Sequence, residues 1–159
     1  MTVLAFWVPG EPVPKQSFRF GSGRGHSRIS QRVADWQENI SGTALAARQE
    51  AGGMDIFLPL MTRYATVTVH FYRSKVGRCD LDNLFKAVLD GLKKVVFEDD
   101  DQVKSLHGYM HSLQHMDGDP YADKDIKEAG CDIAIRYWET SPAKPRTNRG
   151  AALSPYSQQ

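Results

Sequence analysis

The segments Asp80-Leu81-Asp82-Asn83-Leu84-Phe85-Lys86 and Glu98-Asp99-Asp100-Asp101-Gln102-Val103 gather acids at both ends of one amphipathic stretch, with a lysine one helical turn in. Carboxylates collected like this repel one another unless a cation sits between them, and hard oxygen donors suit a divalent ion such as Mg²⁺. Such an ion beside a lysine is equipment for cutting a phosphodiester. In extended backbone, residues two apart point the same way, so Asp80 and Asp82 are expected to face one ion. Asp82, Lys86 and Asp90 recur four apart and should form one polar stripe. Surface ion pairs of about 0.3–0.5 kcal/mol would explain that stripe, but they leave the doublet and the 98–101 run as unrelieved repulsion. If the helix acts as a ruler and the next strand pairs near the first, one acid of that run can return to the doublet.

Other chemistries fit less well. An EF-hand counted from Asp80 would need glycine at Phe85 and glutamate at Gly91; one counted from Asp117 would need glycine at Ala122. His107, His111 and His115 are spaced by four, as zinc ligands on a helix would be. The segment reads as a strand, however, and exposed histidines or DNA contacts are the expectation. Trp7, Trp36 and Trp138 lie in apolar periodic segments and are expected in the core. Between Glu11 and Asp35 there is no acid, while Lys15, Arg19, Arg24, Arg28 and Arg32 fall there among Gly21, Gly23 and Gly25. A basic glycine-rich arm of this kind suits phosphate backbone.

Elements must position these groups. Val3 to Val8 reads as a strand, and Ser30 caps a helix to Glu50 with Val33, Trp36, Ile40, Ala44 and Ala47 at helical spacing. Ala65 to Arg73 alternates as a strand. A helix from Asn83 to Val95 buries Leu84, Val88, Leu92 and Val95, with Asp82 as its expected N-cap. Strands follow at Val103–Leu113 and Cys131–Trp138, separated by a polar excursion over 114–130. The order predicts a single-domain α+β fold, a mixed sheet with two main helices packed on it. The domain is expected over residues 1–140, with 141–159 as a disordered tail rich in Pro, Lys, Arg, Ser and Gln.

With 159 residues and 41% hydrophobic composition the chain can bury a real core, which excludes global disorder. Cys79 and Cys131 are too few for a disulfide framework and match no zinc pattern, so a reducing cytoplasm is the expected compartment. No apolar run approaches a membrane span, and no signal peptide is expected.

Asp80-Leu81-Asp82-Asn83-Leu84-x-Lys86, then Leu89-Asp90-x-Leu92, then Asp99-Asp100-x-Gln102-Val103 closely resembles the signature of the RusA-type Holliday-junction resolvases. Val8-Pro9-Gly10-x-Pro12-Val13-Pro14-Lys15 resembles that family's opening. The resemblance covers roughly residues 5 to 112 and a final strand. It implies a RusA-like fold and a homodimeric nuclease, dependent on Mg²⁺ or Mn²⁺, that nicks four-way DNA junctions symmetrically. It implies metal-binding and catalytic roles for Asp80, Asp82 and Asp100, a catalytic role for Lys86, and supporting roles for Asn83, Asp90 and Asp99. Lys15, Arg19, Arg24 and Arg28 would hold DNA. Three features depart from the family: Met110 stands where a lysine is common, the basic opening is poorer in arginine, and the 114–130 loop is longer. The competing function is a module of the same fold that binds branched DNA without cutting it.

Overall fold

The computed structural model describes residues 2–16, 30–52, 63–75 and 77–139. Strand β1 (Thr2–Pro9) leads to helix α1 (Gln31–Glu50), strand β2 (Arg63–Arg73), helix α2 (Leu81–Leu92), strand β3 (Val103–Ser112) and strand β4 (Gly130–Glu139). The four strands lie in the order β1-β4-β2-β3. β4 runs antiparallel to both β1 and β2, whereas β2 and β3 are parallel and joined by the α2 crossover. This is the single-domain α+β arrangement that the element order predicted. No helix among the described residues is long and apolar enough to cross a membrane.

Alternation sorts the sheet into two faces. Val67, Val69 and Phe71 of β2 and Cys131, Ile133 and Ile135 of β4 are fully buried against the helices. Leu84, Val88 and Leu92 bring the apolar side of α2 onto that face, each contributing about 1.5–3 kcal/mol by leaving water. α1 adds Val33, Trp36, Ile40 and Ala44, and its Ser30 cap accepts the Val33 N–H at 3.3 Å. Gly108 of β3 is required by packing: a Cβ there would stand 2.0 Å from the Phe85 ring, so only glycine lets α2 seat against the edge strand.

Several expectations are corrected. α2 begins at Leu81 with Asp80, not Asp82, as its N-cap, because the Asp80 carbonyl already accepts the Leu84 N–H at 3.2 Å. Asp82 therefore sits in the first helical turn, and the doublet is not a pair in extended backbone. The helix also stops at Leu92 rather than Val95, since Lys94 adopts φ 66° and turns the chain so that Val96 and Phe97 are buried. Trp138 belongs to the outward set of β4 and is 38% exposed. His111 is 2% exposed, because the excursion after β3 folds back over that end of the sheet's outer face. The predicted basic arm residues Arg19, Arg24 and Arg28, and the tail beyond 140, lie outside the described residues.

Candidate active site

The parallel pairing of β2 with β3 decides where the acids stand. β2 ends at Arg73, α2 returns along the sheet, and β3 starts again beside Ala65. Asp80 and Asp82 thus lie at the end of the sheet where β2 finishes. Asp99, Asp100 and Asp101 lie at the end where β3 begins. The 12 residues of α2 span about 18 Å between them. Among the described residues no group of three or more His, Cys, Asp or Glu side chains comes together to hold a metal ion. The set Asp80, Asp82 and Asp100 does not converge within one chain, so one chain alone does not fit a three-carboxylate centre. The exposed Asp80–Asp82 doublet by itself supplies two hard carboxylates, a number compatible with Mg²⁺, which retains much of its water.

At the doublet, the Asp80 side chain makes no capping hydrogen bond, and Asp82 has 69% of its side chain exposed. Lys86 donates from Nζ to Asp82 Oδ2 and to Asn83 Oδ1, both at 3.3 Å, and holds its ammonium over the first turn of α2. Asp90, one turn past Lys86 on the same helix, is engaged by groups from outside it. Its Oδ2 accepts from Lys15 Nζ at 2.5 Å and from Gln37 Nε2 at 3.3 Å, and the Lys15 N–H donates to the Asn83 carbonyl at 3.0 Å. Lys15 and Asp90 therefore fasten the N-terminal segment along α2.

Glu11, which carries no role in the sequence reading, braces the approach to the doublet. Its carboxylate accepts the Ser74 N–H at 3.1 Å, the Ser74 hydroxyl at 2.6 Å and the Lys75 N–H at 3.2 Å. Burial pushes the Glu11 pKa up, but these bonds and the nearby Arg73 guanidinium outweigh it and hold the group below its ordinary value. The available signal was positional: Glu11 is the one acid inside the Pro-rich opening, directly before the acid-free stretch.

At the far end of α2 the acidic turn is locked by its own sequence. Gln102, 6% exposed, accepts the N–H groups of Glu98 at 2.6 Å and Asp99 at 3.1 Å through Oε1. Asp99 Oδ1 accepts the Asp100 N–H at 2.7 Å and pairs with Lys93 Nζ at 2.9 Å. The hydrogen bond from Lys93 holds the Asp99 carboxyl below its usual range and raises the Lys93 ammonium in turn. Asp99 and Gln102 thus form a capping box on the 3₁₀ turn Asp100–Gln102, and the exposed Asp100 carboxylate projects from a rigid support.

A second cluster was not anticipated. His70 Nδ1 and His111 Nε2 lie 2.9 Å apart, and His111 Nδ1 lies 2.5 Å from Asp119 Oδ2. The Tyr72 hydroxyl accepts the Asp123 N–H at 2.9 Å, and Tyr121 packs on Tyr109. This cluster binds the 113–129 excursion to the sheet on the face away from α2. His107 stays exposed beside Ser105.

A search of the curated proteins finds no match. The family described as Endodeoxyribonuclease RusA matches residues 9–121, which take in the Pro-rich opening, the doublet, Lys86, the capped acidic turn and β3. With well over half of its length matched, the chain belongs to the RusA endodeoxyribonuclease family.

Proposed function

We propose that this protein is a divalent-metal-dependent endodeoxyribonuclease that resolves four-way DNA junctions by paired symmetric nicks, working as a homodimer. The observation that carries the reading is the state of Asp80, Asp82 and Asp100. They are exposed on firmly held backbone; the Asp80 side chain makes no capping hydrogen bond, and the side chain that caps the 3₁₀ turn is that of Asp99, not Asp100. Acids kept this way, beside the Lys86 ammonium, are suited to an external cation and phosphate.

The separation of the acids along α2 supports a centre shared by two copies. β3 is an edge strand, and Leu106 and Met110 on it are 47% and 43% exposed. Pairing two such edges antiparallel about a two-fold axis would carry Asp100 of one copy toward Asp80 and Asp82 of the other, twice per dimer. A bound divalent cation would polarise the scissile phosphate and acidify a bound water. Lys86 would neutralise charge developing on the phosphate, with Asn83 orienting its ammonium and Asp90 occupied by Lys15. The arm containing Arg19, Arg24 and Arg28 would follow the DNA backbone.

The same separation favours a second reading should the chain act alone: a module that binds branched DNA without cutting it. Incubation with an end-labelled four-way junction in Mg²⁺, in Mn²⁺ and in EDTA decides between them. Matched nicks on opposing strands that EDTA abolishes support the nuclease; a shifted but intact junction in every buffer supports the binding module.

A further inference from the structure

The helices cover only one face of the sheet. On the other face, among the described residues, the excursion covers the end around Tyr72 and His111 and does not reach the exposed Tyr64 at the opposite end. There Tyr64 of β2 pairs with Trp138 of β4 in the sheet register. Their rings lie 6.2 Å apart at 70°, and each residue is 38% exposed. The Lys104 ammonium sits 4.7 Å from the centre of the Tyr64 ring and also donates to the Asp101 carbonyl. Arg136, two residues before Trp138 on the same face, is exposed, and so is His107. Among the described residues, those facing outward on this half are neutral or cationic, and the first acid on the face is Asp132, opposite His70.

Two wet aromatic rings flanked by cations cost solvation unless something covers them, and the charge specifies an anionic partner. Phosphate alone would require only the cations. Rings offer flat π surfaces, which unstacked bases can use and an intact duplex cannot. We infer that this half of the sheet is a docking surface for an unpaired DNA strand, with Trp138 as the principal base-stacking ring, Tyr64 beside it, and Lys104 and Arg136 as phosphate partners. The surface adjoins the acidic turn through Lys104 and Asp101, so a strand leaving a site that includes Asp100 would run onto it. This deepens the nuclease reading and rests on it for the choice of DNA.

The test is an anisotropy titration of labelled oligo(dT) and of a blunt duplex in EDTA, using the full chain. The variants are Trp138→Ala, Trp138→Phe and Arg136→Gln, with melting curves and sedimentation on each. We expect Trp138→Ala to weaken oligo(dT) binding about tenfold, the scale of one lost stack, while leaving duplex binding unchanged. Trp138→Phe should recover most of the loss, and Arg136→Gln should reduce the salt slope by about 0.7. Wild-type affinity in Trp138→Ala, or no oligo(dT) binding by the parent chain, overturns the surface. So does a shift of Trp138→Ala from dimer to monomer, which would make the face a contact between copies. Junction cutting in Mg²⁺ is scored separately: a chain that cuts but fails the oligo(dT) test loses only this surface. One that never cuts loses the nuclease reading instead.

Discussion

Among the acids, the fold has already engaged some and left others to solvent. Asp99 caps a turn and pairs with Lys93, and Asp90 holds Lys15, whereas the Asp80 side chain makes no capping bond and Asp100 stands exposed. Asp82→Asn and Asp100→Asn should therefore melt near the parent and lose nearly all junction cutting, since the amide keeps the shape and removes the charge. Asp101→Asn should cut almost normally; a reversed ranking of 100 and 101 in the nicking assay would move the assignment by one residue. Lys86 separates two roles in the same way. As a surface partner of Asp82 it is worth about 0.3–0.5 kcal/mol. As a phosphate-facing group its loss should slow cutting about 10²-fold or more. Lys86→Ala and Lys86→Arg should both melt near the parent and cut poorly, alanine worse, because a planar guanidinium does not replace a compact ammonium. Normal cutting by Lys86→Ala would make the lysine structural.

For elements, what matters is how each end is held. The 3₁₀ turn before β3 depends on Gln102, whose Oε1 accepts two backbone N–H groups. Gln102→Ala leaves both without their partner and should cost about 1–3 kcal/mol, read as a lower denaturant midpoint, with cutting impaired because Asp100 loses its support. An unchanged midpoint would show that water replaces the amide. The excursion over 113–129 is held through His70, His111 and Asp119. Burial and the neighbouring His111 lower the His70 pKa from 6.5 despite Asp132 and Asp119, so the fold favours neutral His70. Its contribution is complete above pH 6.5 and is lost as pH falls through the lowered value. Asp119, lowered from 3.8 by the hydrogen bond with His111, contributes above that pH and loses its contribution in stronger acid. The melting temperature should thus fall between pH 7 and pH 5.5, and His70→Gln should flatten that slope. A melting temperature that rises on acidification would contradict this linkage.

Across the whole molecule, the sheet places the acids at opposite ends of α2, and the proposed second copy would reunite them. Leu106→Asp on the edge strand puts a charge into the proposed contact. It should yield monomers by sedimentation, leave the melting curve of the separate chain largely intact, and abolish cutting. Dilution of the parent chain should lower specific activity in step with dimer loss. Full activity from a monomeric Leu106→Asp variant would rule out the shared centre.

The sequence by itself determined which elements form and which residues match the family's motif, because both are local. Alternation in Val67–Val69–Phe71 specifies a half-buried strand, 3.6-residue spacing in Leu84–Val88–Leu92 specifies a buried helix face, and Ser30 marks where α1 starts. The Asp80–Asp82 doublet, Lys86 and the Asp-Asp-x-Gln-Val run were legible for the same reason, and they carried the family. The end of α2 was not, since Lys94 takes a left-handed conformation without a glycine to announce it. The outward place of Trp138 was written in the β4 alternation, yet its bulk argued for burial. Tertiary structure alone decided the rest. Which strand β3 joins, and in which direction, fixes whether the acidic run returns to the doublet or lands a helix length away. Whether His111 is wet or buried depends on how β3 and the loop after it fold back onto His70 and Tyr72. Those are long-range pairings chosen by the burial of whole faces, and no window of neighbouring residues contains them.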